Sequence, residues 1–90
     1  MSDEQHVRVR YWAGARAAAG VAEDLLPVGG PTTVGAIRDL AVAAHPGADL
    51  ARVLGVCSVL VGEQPAGKDP AAHPVAPGDT VEFLPPFAGG

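Results

Sequence analysis

Residues His6 to Trp12 alternate strictly, with Val7, Val9 and Tyr11 on one side and Arg8, Arg10 and Trp12 on the other. A period of two belongs to a strand with one covered and one open face, so the chain must build a sheet and close one side of it. At 90 residues it has room for a single core, because a chain this short buries only about two-thirds of its unfolded surface. Aromatics are 4% of the sequence against 48% hydrophobic residues overall. Val, Leu, Ile and Ala therefore have to fill that core.

The cover is predicted to be a helix over Val34 to Ala44, where Val34, Ile37, Leu40, Ala41 and Ala44 recur at helical spacing as one stripe. Gly29, Gly30 and Pro31 halt a second strand at about Val21 to Val28, and Thr32 or Thr33 supplies the hydroxyl that caps the helix. Pro46 and Gly47 stop it just past His45. Between the first two strands Gly14 and Gly20 bracket Ala15 to Ala19, too short for an isolated helix and read as a helical turn or broad hairpin loop. Leu50, Val53 and Leu54 mark a short second helical turn. Val56 to Val61 is a continuous apolar run, the mark of a buried strand near the middle of the sheet with Cys57 inside it.

Gly62 to Pro77, punctuated by Pro65, Pro70 and Pro74, reads as a loop with room for one short edge strand. Pro77-Gly78-Asp79 places Pro and Gly at the two central positions of a type II turn. A strand restarts at once over Thr80 to Leu84 and ends at Pro85-Pro86, which have no backbone N–H to continue a ladder. Hairpin, helix, strand, irregular loop and strand make an α+β fold with the helix across one face of a mixed sheet. Several folds share this element order.

No apolar run approaches the roughly 20 residues needed to cross a bilayer, and MSDEQHVRVR is too polar for a signal peptide. The expected compartment is the cytoplasm, with no membrane partner. A lone Cys57 cannot close an internal disulfide. The net charge of −4, with Arg8, Arg10, Arg16, Arg38, Arg52 and Lys68 dispersed, argues against nucleic acid and for a partner with a basic face. His6, His45 and His73 lack the spacing of metal ligands, and no phosphate-binding loop, dinucleotide fingerprint or nucleophile elbow is present. Asp79 and Glu82 read as solvated surface rather than a catalytic pair. Trp12 suits either packing or a partner surface, and packing over a loop is the favoured reading.

The chemistry is concentrated in the last six residues, Pro85-Pro86-Phe87-Ala88-Gly89-Gly90. Two prolines favour an extended geometry of about 3.1 Å per residue, a reach of roughly 19 Å beyond the sheet. Gly89 and Gly90 have no side chains and fit a channel too narrow for Cβ atoms. A terminal carboxylate joined to the α-phosphate of ATP becomes a mixed anhydride, from which a sulfur nucleophile displaces AMP to leave a thiocarboxylate.

GDTVEFLPPFAGG, residues 78–90, resembles the C-terminal signature of the small subunit of molybdopterin synthase, a sulfur carrier of the MoaD/ThiS type. VRVRYWAGARAAAG is similar to that family's first strand and following loop, Pro31 to Val34 to its helix start, and Cys57 to Val61 to its third strand. Two positions depart from it: Phe87 stands where the family has a smaller apolar residue, and Gly62-Glu63 follows the third strand where Asn is common.

The resemblance implies a ubiquitin-like β-grasp domain over residues 1–84, with four to five strands and one main helix, and an extended C-terminal tail over 85–90. Gly90 would be adenylated and then carry the sulfur, while Pro85, Pro86, Phe87, Ala88 and Gly89 would contact partners. Those partners are an E1-like adenylyltransferase, a sulfur donor protein and the large synthase subunit, expected in a heterotetramer and expected to hold the catalytic residues. No cofactor is expected on the carrier, since ATP is consumed by the activating enzyme. Sulfur then passes to cyclic pyranopterin monophosphate. The alternatives are sulfur delivery to thiazole, cysteine or a siderophore, a ubiquitin-like modifier joined to lysines, and an interaction domain with an inert tail.

Overall fold

The computed structural model describes residues 5–47 and 49–86. The N-terminal alternation is realised as β1 (Gln5–Tyr11), with Val7, Val9 and Tyr11 buried and Arg8 and Arg10 exposed. After α1 (Ala13–Ala19) comes β2 (Glu23–Val28), antiparallel to β1 with Val7 opposite Leu26. Two-residue β3 (Thr32–Thr33) leads into α2 (Val34–Ala44), and α3 (Leu50–Gly55) precedes β4 (Ser58–Val61). β5 (Gln64–Pro65), a 3₁₀ turn (Pro70–Ala72), β6 (Pro74–Val75) and β7 (Thr80–Leu84) complete the chain.

The main sheet has the order β2-β1-β7-β4-β5, and β3 pairs with β6 in a separate ribbon. β7 occupies the centre, parallel to β1 and antiparallel to β4. The apolar run around Val59 therefore lies one place off centre, flanked outside only by the two residues of β5. Gly62 and Glu63, both with positive φ, make the two-residue turn between β4 and β5. The loop expected to hold one short edge strand holds β5, the 3₁₀ turn and β6.

Thr33, rather than Thr32, caps α2: its hydroxyl accepts from the Ala36 N–H at 3.2 Å. Only Val34, Ile37 and Ala41 of the expected stripe are buried, while Leu40 and Ala44 are exposed. The stripe is narrower than its periodicity suggests because Ala15 and Ala19 of α1 and Leu50 and Leu54 of α3 share the same core. Ala15 to Ala19 thus belongs to a real helix, stopped by Gly20 at φ +80°.

The strand at Cys57 also begins later than expected. Val56 N–H donates to Val53 O and Cys57 N–H to Leu54 O, so both donors still serve the end of α3 and the ladder starts at Ser58. Cys57 is consequently half-buried ahead of the strand instead of buried within it, and Val56 is exposed.

Candidate functional site

The Gly78 turn forms as expected, with φ +93° at Gly78 and Asp79 N–H donating to Ala76 O at 3.0 Å. Asp79 adds a second bond, its carboxylate accepting from Ala76 N–H at 2.8 Å, and so serves the turn. From there β7 runs between β1 and β4, burying Val81 and Phe83 and pairing Leu84 with Ser58. The root of the tail is thereby held on both sides. Pro85 is half-buried and Pro86 exposed. Phe87, Ala88, Gly89 and Gly90 lie outside the described residues.

On the face of the sheet away from the helices, the side chain of Trp12 is 41% exposed, which corrects the reading of it as a packing residue. It lies on the open face because its indole N–H donates to Glu82 Oε1 at 3.0 Å, on the strand that leads to the tail. The Arg10 guanidinium stacks 5.0 Å from the ring centroid and reaches Glu82 at 3.8 Å and Glu23 at 4.0 Å. Arg8 pairs with Glu23 as well. Glu82 is therefore no solvated carboxylate: its side chain is 15% exposed, accepts from the Trp12 indole and lies in ion-pair range of Arg10.

A second polar cluster escaped the sequence reading. Tyr11 O–H donates to Asp24 Oδ2 at 2.7 Å, His45 Nε2 lies 2.6 Å from the same oxygen, and the Tyr11 and His45 rings meet edge to face. Burial first, then the bond to Asp24, pushes the Tyr11 phenol far above its ordinary range. The cluster ties β1 and β2 to the end of α2, and no local pattern announces partners so far apart in the chain. Cys57 donates its S–H to Val53 O at 3.2 Å, and burial raises the thiol to about 11. At neutral pH it is a protonated, weak nucleophile. Among the described residues no three His, Cys, Asp or Glu side chains converge as metal ligands, and no helix is long and apolar enough to cross a membrane.

A five-stranded mixed sheet with its first and last strands side by side, helices on one face and a Pro-Pro-led tail from the central strand define a ubiquitin-like β-grasp protein. Residues 9–90 match the ThiS family, and the chain belongs to that family of ubiquitin-like sulfur carriers. Among solved structures it is similar to small archaeal modifier protein 1 (SAMP1) from Haloferax volcanii, with 28% identity and TM-score 0.77 over 94% of this chain and 99% of that one. It is also similar to Urm1 from Trypanosoma brucei, with 23% identity and TM-score 0.72 over the whole of both chains. A chain in the protein–protein complex of subunits 1 and 2 of molybdopterin-converting factor from Helicobacter pylori gives 21% identity and TM-score 0.58 over 94% and 99%. These last two likenesses establish the fold alone. No protein of curated function matches the sequence.

Proposed function

We propose that this chain delivers sulfur as the small subunit of a molybdopterin synthase, with the Gly90 carboxylate as its working group. The observation that carries this reading is the GDTVEFLPPFAGG sequence, whose Thr80–Leu84 form the central strand immediately ahead of Pro85. An E1-like enzyme joins the Gly90 carboxylate to AMP, releasing pyrophosphate from ATP. Sulfur at the oxidation level of a thiol, from a donor protein, displaces AMP and leaves the thiocarboxylate. The tail then enters the large subunit, where two such transfers furnish the dithiolene of molybdopterin. The Helicobacter pylori complex supports a large-subunit partner by analogy of fold.

Incubation with ATP, the adenylating enzyme and a sulfur source, followed by intact-mass measurement, should show one oxygen replaced by sulfur at the C-terminus. Modification of Cys57 with an unchanged C-terminus overturns the reading. The likeness to small archaeal modifier protein 1 favours a second reading as a modifier, in which the same adenylate is attacked by a lysine amine of a target protein. Adding the large subunit and cyclic pyranopterin monophosphate separates the two, since only the first reading produces molybdopterin.

A further inference from the structure

We infer that Lys68 is an internal acceptor for the activated C-terminus: when Gly90 adenylate leaves its enzyme before sulfur arrives, the Lys68 amine captures it and closes the chain into a loop. The inference rests on adenylation of Gly90 and holds for both readings above, because each begins with that step.

The choice of side chain comes from the sequence. Lys68 is the one lysine, and the other five basic residues are arginines. A guanidinium stays protonated and does not attack an acyl adenylate, so the chain offers a single side-chain amine. Lys68 is exposed, and among the described residues it has no ion-pair partner, whereas Arg8, Arg10 and Arg52 are all matched by carboxylates.

The sheet register places that amine at the end from which the tail leaves. Phe83 stands opposite Val59, and Ala66 N–H donates to Val59 O at 2.9 Å, so Ala66, Val59 and Phe83 lie in one row across the sheet. Two strand spacings separate Ala66 from Phe83 by roughly 10 Å, and Lys68 follows two residues later, which sets its Cα within roughly 17 Å of Phe83. The seven residues from Leu84 to Gly90 can span roughly 22 Å. Lys68 is also held in place, because Ala66 on one side bonds to β4 and Asp69 O on the other accepts from Ala72 N–H at 3.2 Å.

In the capture step Lys68 Nζ attacks the Gly90 carbonyl carbon. The bond from that carbon to the phosphate oxygen breaks, AMP leaves with its electron pair, and the amine's proton passes to solvent. The product is an isopeptide, and the closed chain has no terminal carboxylate left to carry sulfur. Ends joined by a short flexible segment meet at millimolar effective concentration, above that of a second carrier at micromolar levels, so closure within one chain outruns the joining of two.

The test incubates the full chain with ATP and the adenylating enzyme but no sulfur source, and follows it by intact mass and peptide mapping. A parallel sample contains hydroxylamine, which traps the adenylate as a hydroxamate. The expected product is a single chain lighter by one water, linked from Gly90 to Lys68, with a rate constant that does not change with carrier concentration. Lys68→Arg, which keeps the charge, should abolish it and leave the hydroxamate yield unchanged. Hydroxamate without the water-loss product, a link to any other residue, or a link between two chains overturns the inference and leaves the functional reading standing. Neither hydroxamate nor water-loss product from the intact carrier overturns that reading and the inference with it.

Discussion

Tyr11 carries more of this structure than its single bond suggests, since its ring stacks on Phe83, meets His45 edge to face and sends its hydroxyl to Asp24. Its folded-state pKa is raised, so the stability it contributes is complete below the unfolded value of about 10 and is lost as pH climbs above it. The slope for one such group is about 1.4 kcal/mol per pH unit. At neutral pH Tyr11→Phe should cost about 1 kcal/mol for the lost hydrogen bond. Near pH 11 that difference should vanish or reverse, because the variant has no phenol to ionise on unfolding. Urea unfolding of both proteins from pH 7 to pH 11 measures this, and parallel curves would show that the phenol titrates normally in the fold. A different strain sits at Glu63, whose φ of +73° is a conformation that side chains rarely adopt. Glu63→Gly should stabilise the chain by about 1 kcal/mol, read as a higher urea midpoint with unchanged slope.

At the scale of the element, what was legible in the sequence was what is locally determined. Strand β1 announces itself by alternation, α2 by its apolar spacing between Thr33 and His45, and β7 by the Pro77-Gly78-Asp79 turn before it and the prolines after it. Helix α1 does not: seven residues are too few to be helical alone, and it persists because Ala15 and Ala19 are buried in the common core. The width of the α2 stripe was misjudged for the same reason, since only the tertiary partners decide that Leu40 stays outside. Trp12 and the Tyr11–Asp24–His45 cluster depend on which strands are neighbours, which periodicity cannot say. The start of α2 offers a test of the local kind. Thr33→Ala removes the acceptor for Ala36 N–H and should cost about 1 kcal/mol. Thr32→Ala, at the neighbouring position without that bond, should cost less, and thermal melts of the pair would deny the cap its role if they ranked the other way.

For the molecule as a whole, the central fact is that the strand leading to the tail completes the sheet. β7 joins β1 and β4 from the far end of the chain, so the tail root exists only when nearly everything else has folded. Yet the buried core runs from Val7 to Phe83 and contains nothing beyond β7 among the described residues. Stability and chemistry should therefore separate sharply across a few residues. Phe83→Ala empties a fully buried site stacked on Tyr11 and should cost about 3–5 kcal/mol. A domain typically has about 5–15 kcal/mol to lose. At about 4–8 °C per kcal/mol for a chain of this size, the melting temperature should fall by more than about 12 °C. Gly89 and Gly90 have no side chains to bury, so removing them should leave the melting temperature within about 2 °C while thiocarboxylate formation disappears. Calorimetry and intact-mass measurement on the same two variants test both halves at once. A truncated chain that melted as early as Phe83→Ala would make the glycines part of the fold, and one that still accepted sulfur would move the working group away from Gly90.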